Sequence, residues 1–291
     1  MSAGFVGLTL YQPGGLFDSI YFIEEVIVNT RSRYQDIMIA RIKGFGKSLI
    51  LDGWLQSTEA DEYIYHESLV HPAMIMHDYP RQVLVLGGGE GATLREVLKY
   101  KSVEEAVMVD IDPLVVELSK KYLTEWHQGS FEDPRSKVMI MDGFEYVRKA
   151  SEEAKKFDVV VMDLTDPYGS EIAMKLYSSS AFQLLKKIMD QQSILVVQAG
   201  SSTLFREAYE RVEKAVSSVF KHVAEYVTWV PSFAYMNSFI IASDTYSFEN
   251  IDVNIIDERV RERGLRLRFF NARRMVSMFG LAGLRLEGYN S

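Results

Sequence analysis

Hydrophobic and polar positions change their period twice along the chain. Up to about Gln56, apolar residues alternate with polar ones in short runs, and Tyr21–Val28, Asp36–Ile42 and Ser48–Leu51 read as strands. Lys43-Gly44-Phe45-Gly46-Lys47 lies between the last two and predicts a hairpin turn. From Asp61 to Met76 the spacing predicts a helix that puts Tyr65, Leu69, Pro72 and Ala73 on one face, with Asp61, Glu62 and Glu67 as its polar positions and Pro80 marking the stop. Beyond that, strand-like runs at 83–86, 106–109, 137–141, 158–162 and 193–197 alternate with helical patterns at 92–100, 114–123, 143–150, 179–189 and 205–219. Such alternation predicts right-handed βαβ crossovers and a doubly wound, mostly parallel α/β sheet. Two further strand-like runs, 223–228 and 238–242, have no helix between them and are expected to close a seven-stranded sheet as an antiparallel pair. The expected organisation is an antiparallel β domain over residues 1–58, a Rossmann-like catalytic domain over 59–245, and a C-terminal extension over 246–291 packed on it.

Composition narrows the function. With 32 basic residues against 40 acidic ones the net charge is −8, which favours cationic partners and disfavours nucleic acid. The Arg-rich stretch from Arg259 to Arg274 is accordingly read as a solvated helix face. The chain has no cysteine, which excludes disulfides, thiolate catalysis and cysteine-bound zinc. Its five histidines are scattered and offer no metal site. No apolar run approaches the roughly 20 residues of a membrane-spanning helix. Met1-Ser2-Ala3-Gly4-Phe5 also lacks a basic leader, so a cytoplasmic protein without a membrane partner is expected.

The candidate chemistry sits at the strand ends. Val83-Leu84-Val85 runs into Leu86-Gly87-Gly88-Gly89-Glu90-Gly91 and then into a helical pattern, the form of a ligand-binding βα turn. Gly87, Gly89 and Gly91 alternate, so the spacing is not that of the dinucleotide fingerprint. A glycine turn alone is often only a tight connection, but Glu90 inside it would repel an anionic ligand and attract a cationic one. Asp110, Asp142 and Asp163 follow the next strands. One acid after a strand is ordinarily a helix cap; four along one sheet edge that already bears a glycine loop indicate a site. Asp110 falls about twenty residues past the glycines, the offset at which an acid meets a ribose hydroxyl. Asp163-Leu164-Thr165-Asp166-Pro167-Tyr168-Gly169 holds two acids on one short loop, suited to an amine nucleophile whose proton a carboxylate accepts.

Taken together, these motifs resemble the polyamine aminopropyltransferase (spermidine synthase) family. The resemblance runs from Leu51 to about Asp244 through Leu51-Asp52-Gly53 with Gln56, Asp61-Glu62-Tyr63-Ile64-Tyr65-His66-Glu67, the glycine loop, Asp110-Ile111-Asp112, Asp142-Gly143 and Asp163-Leu164-Thr165-Asp166-Pro167. It implies transfer of an aminopropyl group from decarboxylated S-adenosylmethionine, a co-substrate, to an amine, on the sheet of the S-adenosylmethionine methyltransferases, with no metal. It further implies a donor site of Gln35, Gln56, Gly87, Gly89, Glu90, Asp110, Asp142 and Gly143, with Asp163 as proton acceptor. Tyr65, His66, Asp166 and Phe233 would then surround the acceptor, and the N-terminal β domain would build a homodimer or homotetramer.

Three departures bear on the acceptor. Glu90 and Phe233 stand where spermidine synthases usually carry Asp and Tyr, and the loop from Asp166 to Tyr177 is about two residues longer. Lys175-Leu176-Tyr177, Gln198-Ala199-Gly200, Pro231-Ser232-Phe233 and the run Tyr65 to Pro72 are closer to the plant-type thermospermine synthases. An acceptor longer than putrescine, such as spermidine, or agmatine, is then expected. Two other readings stay open at this point: a methyltransferase using intact S-adenosylmethionine, and a non-catalytic polyamine- or nucleoside-binding module.

Overall fold

The computed structural model describes residues 6–11, 18–167 and 171–285. Tyr168 and Gly169 of the acidic loop lie outside the described residues. An antiparallel sheet of five strands comes first, in the order β1 (Val6–Tyr11), β2 (Asp18–Arg31), β3 (Asp36–Ile42), β4 (Gly46–Leu51) and β5 (Trp54–Thr58). The turn expected at residues 43–47 joins β3 to β4, with Phe45 N–H donating to the Ile42 carbonyl. The alternation reading did not resolve β1 or β5.

Helix α1 (Glu62–Met76) leads into the second sheet, whose strands are β6 (Gln82–Gly87), β7 (Glu105–Asp110), β8 (Ser136–Ile140), β9 (Val159–Asp163), β10 (Ile194–Gln198), β11 (His222–Val230) and β12 (Tyr235–Ser243). Their order is β11-β12-β10-β9-β6-β7-β8; β12 runs antiparallel to both neighbours and the other pairings are parallel. This is the expected doubly wound, seven-stranded mixed sheet. Strands β6, β7, β9 and β10 are covered on both faces, which accounts for continuous runs such as Val159-Val160-Val161-Met162 in place of alternation. Because β9, β6, β7 and β8 are neighbours in that order, Asp163, Glu90, Asp110 and Asp142 lie along one carboxyl edge. Between the strands run α2 (Ala92–Leu98), α3 (Pro113–Tyr122), α5 (Gly143–Glu152), α7 (Ser179–Lys186) and α8 (Arg206–Ser217). The short α4 (Thr124–His127) and α6 (Glu171–Leu176) add turns where a loop was expected, α6 within the Asp166–Tyr177 segment.

Two expectations are corrected. The polar positions of α1 are not a solvent face: Glu62, His66, Glu67 and His71 are all buried, because α2 and the C-terminal segment cover them. Nor is the Arg-rich stretch simply a solvated face. In α9 (Val253–Glu262) Arg259 donates to the Ile75 and Met76 carbonyls, and just beyond it Arg263 donates to those of Met74, His77 and Asp78. These guanidinium groups satisfy the last carbonyls of α1, which no further helical turn can reach, and place positive charge at its negative end. Arg261, Arg266, Arg273 and Arg274 do face solvent. Between α9 and α10 (Ala272–Gly280), the Glu67 carboxylate accepts the backbone N–H groups of Arg268, Phe269 and Phe270 at 2.7–2.8 Å. Phe270, Met275 and Met278 join the core that α1 shares with the sheet.

Replacing Glu67 with Gln turns one of those acceptors into a donor facing N–H groups. Glu67→Gln is expected to cost about 2 kcal/mol of stability in urea unfolding, with the amides of residues 268–270 exchanging hydrogen faster than those of α8.

Candidate active site

The glycine loop is shaped by its neighbours on the sheet edge. Gly87 has φ +82°, and a Cβ there would lie 2.1 Å from the Asp163 carbonyl oxygen, which accepts the Gly88 N–H. At Gly89 a Cβ would lie 2.6 Å from Asp110 Oδ2, so only glycine lets the Asp110 carboxylate rest against the loop. Burial is the main cause that raises Asp110 to about 6, offset by the Asp112 and Gly89 N–H groups and reinforced by the Asp112 charge. Asp112 is itself fully buried and accepts from Ser32 Oγ (2.6 Å) and Gln35 Nε2 (2.9 Å). Gln35 thus joins the N-terminal sheet to the loop after β7.

Asp163 ends β9 beneath this loop. Its Oδ1 accepts from Tyr65 Oη at 2.8 Å and its Oδ2 from Thr93 Oγ1 at 2.5 Å. Burial pushes the Asp163 carboxyl up, against the pull of the nearby His66 charge and the Thr93 hydrogen bond. Burial, then the Asp163 charge, also push Tyr65 well up, so its hydroxyl stays a donor. The Tyr65 ring meets those of Phe233 and Phe239 at 6.0 and 5.7 Å between centroids, and Phe233 stacks on Tyr235. Asp166 accepts from Gln198 Nε2 at the end of β10, and Tyr177 Oη donates to the Thr165 carbonyl.

His66 is buried between two carboxylates. Its Nε2 lies 2.6 Å from Glu90 Oε1 and its Nδ1 2.9 Å from Glu62 Oε2. Nδ1 also lies 2.7 Å from the Glu62 carbonyl, which can only accept. Burial opposes the charged imidazole, but Glu90 and Glu62 outweigh it and raise His66 to about 10. Glu62 in turn receives both terminal nitrogens of Arg95, whose Nε donates to Glu96 at 2.7 Å. Alternating charges therefore run from Glu90 through His66, Glu62 and Arg95 to Glu96.

The structure thus brings Gly87, Gly89, Glu90, Asp110, Asp163, Tyr65, His66, Asp166 and Phe233 to one edge. Asp142 sits at the far end, exposed, where its carboxylate caps α5 by accepting the Glu145 N–H; Gly143 opens that helix. The Gln56 amide donates to the Trp54 carbonyl within its own strand. Sequence reasoning passed over Thr93, Ser57 and Arg95 as parts of the site. Thr93 follows the glycine loop by two residues, a signal that was legible, whereas Ser57 and Arg95 offered none.

A doubly wound sheet with its glycine loop and carboxylates on the same edge defines an α/β enzyme that binds a nucleoside-bearing, cationic ligand. Comparison with known proteins sharpens this. Residues 62–254 match the spermine/spermidine synthase domain and residues 13–59 the spermidine synthase tetramerisation domain. The chain is 54% identical over 292 residues to polyamine aminopropyltransferase 1 of Hyperthermus butylicus, covering 100% of both proteins. It is 47% identical to the polyamine aminopropyltransferase of Pyrobaculum aerophilum over 94% of each. The crystal structure of spermidine synthase from Thermotoga maritima superposes with a TM-score of 0.85 at 31% identity, covering 95% of this chain and 91% of that one. A spermidine synthase in complex with the transition-state analogue AdoDATO superposes with a TM-score of 0.84 at 30% identity and the same coverage. The chain belongs to the spermidine synthase family.

The His66 pairing has a pH signature. Its folded value of about 10 lies above the unfolded 6.5, so its stabilisation is complete below about 6.5 and is lost as pH rises through about 10. The urea midpoint of the native protein is expected to fall between pH 7 and 10 more steeply than that of His66→Gln; parallel curves would show that the imidazole is neutral.

Proposed function

We infer that this chain is a polyamine aminopropyltransferase, transferring the aminopropyl group of decarboxylated S-adenosylmethionine to the primary amine of a linear polyamine. The observation that carries the reading is the Asp163 carboxylate, buried at the sheet edge and fixed through both oxygens by Tyr65 and Thr93. Asp110, against Gly89, suits the ribose hydroxyls of the donor, with the Asp142-Gly143 turn beside its adenine. Gln35 and Gln56 flank the aminopropyl arm, and Glu90 receives its amine.

The chemistry follows from those placements. The acceptor nitrogen attacks the carbon next to the sulfonium; a C–N bond forms, the C–S bond breaks, and its electron pair neutralises sulfur as methylthioadenosine leaves. An acceptor amine near pKa 10.4 arrives as an ammonium, and an acidic cleft holds it so. Asp163 takes the proton: burial raises its carboxyl, narrowing the gap to the amine, while two fixed hydrogen bonds hold the receiving oxygen in place. Alignment of nitrogen, carbon and sulfur then supplies much of the rate. Asp166, Gln198 and the rings of Tyr65 and Phe233 line the acceptor side, where Phe233 contributes an apolar wall suited to methylenes.

Intact S-adenosylmethionine is disfavoured as donor because its carboxylate would meet Glu90 and Asp163, and the cations beside them among the described residues, His66 and Arg95, are already paired. In the N-terminal sheet, Ile20, Phe22 and Val26 are each about half exposed on β2. That apolar surface, together with the match to a tetramerisation domain, supports assembly of this chain into a homo-oligomer.

The test is an acceptor panel of putrescine, agmatine, cadaverine and spermidine with the decarboxylated donor, read as product mass and released methylthioadenosine. Spermidine or agmatine is expected to lead the panel; release with none of them removes the assignment. Asp163→Asn is expected to bind the donor normally and to lose about 10²–10⁴-fold in kcat, and near-normal turnover would remove Asp163 from its role.

A further inference from the structure

Glu90 is clamped from two sides, and one side of the clamp has no part in the chemistry above. Its Oε1 is held by His66 Nε2, and its Oε2 accepts from Ser57 Oγ at 2.6 Å. Ser57 in turn accepts from Trp126 Nε1 at 2.9 Å. The direction of this chain is forced. An indole nitrogen can only donate, so the Ser57 hydroxyl has its proton free for the carboxylate and no rival acceptor among its known partners. Ser57 is 3% exposed and Trp126 is fully buried, so water does not compete for either bond. Trp126 is itself anchored, since its carbonyl accepts Arg95 Nη1 at 2.5 Å. The two arms of the clamp therefore meet again behind it, at Arg95 and Glu62.

We propose that Ser57 and Trp126 are positioning residues that hold Glu90 in the one orientation that receives the amine of the donor's aminopropyl arm. The proposal rests on the assignment of Glu90 to that amine. A glutamate has three side-chain torsions, and an unclamped one would sample several rotamers and lose freedom only on binding. With both oxygens engaged by the protein, each keeps a second lone pair at a fixed place, so two acceptor directions exist before the donor arrives. The clamp also accounts for glutamate in place of aspartate. A side chain shorter by one carbon, about 1.5 Å, could not span from the glycine loop to Ser57 on β5 while keeping His66.

A pair of ligands separates positioning from general damage. Decarboxylated S-adenosylmethionine carries the amine that meets Glu90; methylthioadenosine shares its nucleoside and lacks that arm. Binding of each is measured by titration calorimetry to the native enzyme, Ser57→Ala, Trp126→Phe, Glu90→Gln and the Ser57→Ala/Glu90→Gln double variant. Ser57→Ala is expected to weaken the decarboxylated donor about tenfold or more, the effect of one lost hydrogen bond to a charged group, and to change methylthioadenosine less than twofold. Trp126→Phe keeps an aromatic side chain but removes the indole N–H, and is expected to lose about threefold for the decarboxylated donor alone, intermediate because Ser57 remains. The double variant is expected to bind no more weakly than Glu90→Gln, since Ser57 acts through that carboxylate. Equal losses for both ligands in Ser57→Ala, no loss for either, or additive losses in the double variant would overturn the positioning role while leaving the function intact. Failure of the native enzyme to bind either ligand would overturn the function and this proposal together.

Discussion

A buried line of alternating charge holds the two helices that carry the site. Glu90 and Arg95 come from the glycine loop and α2, His66 and Glu62 from α1, and each charge lies against one of opposite sign. Buried ions are costly to desolvate, and such a line gives little net stability over an apolar packing of the same shape. Removing one member is another matter, because it leaves a neighbour buried and unpaired at about 3–5 kcal/mol. The line therefore acts less as glue than as a bias on register, because a shift of α1 along α2 would separate Glu62 from Arg95 and His66 from Glu90. Tyr65 and Thr93, which hold Asp163 from those two helices, inherit their positions from it.

The same constraint redistributes charge in the cleft. Counted by residue type, the edge is strongly acidic, with Glu90, Asp110, Asp163 and Asp166 close together. Counted by partner, Glu90 is paired directly with His66, while Asp163 takes its two side-chain hydrogen bonds from neutral donors, Tyr65 and Thr93, and meets the His66 charge only at a distance. Under the proposed roles, the less compensated carboxylate is the one assigned to accept a proton, and the balanced one is assigned to hold an amine without reacting.

Much of this was legible in the chain. The strand–helix alternation after Pro80 reported the doubly wound sheet because parallel strands covered on both faces must be continuously apolar. The acids at the strand ends reported the ligand edge because topology alone brings those ends together. What was not legible is what depends on partners distant in sequence. Glu62 and Glu67 were legible only as polar positions of a helix, since periodicity records polarity and not whether a guanidinium 33 residues on will satisfy it in the interior. Arg259 and Arg263 looked like a solvated face for the same reason; apart from the Asp78 carboxylate, their partners are backbone carbonyls at and just past the end of α1, which carry no side-chain signature. Asp142 could be a cap or a ligand from sequence; its Oδ1 does cap α5, a role compatible with the proposed contact to the donor.

The tether between α1 and the C-terminal segment has a bearing on how the chain is made. Glu67 finds its third N–H donor 203 residues downstream, and His77 its guanidinium 186 residues downstream. At about 5–20 residues per second of synthesis, α1 leaves the ribosome on the order of 10–40 s before those partners do. Through that interval the helix carrying Tyr65 and His66 has a carboxylate and a row of terminal carbonyls that only water can satisfy. Contacts so far apart in sequence also make for slow closure of the fold. The N-terminal sheet waits as well, since Ile37, Ile39 and Leu49 pack against Ala92, Val115, Leu123 and Trp126, so the whole chain up to the C-terminal segment is needed before α1 is fully covered.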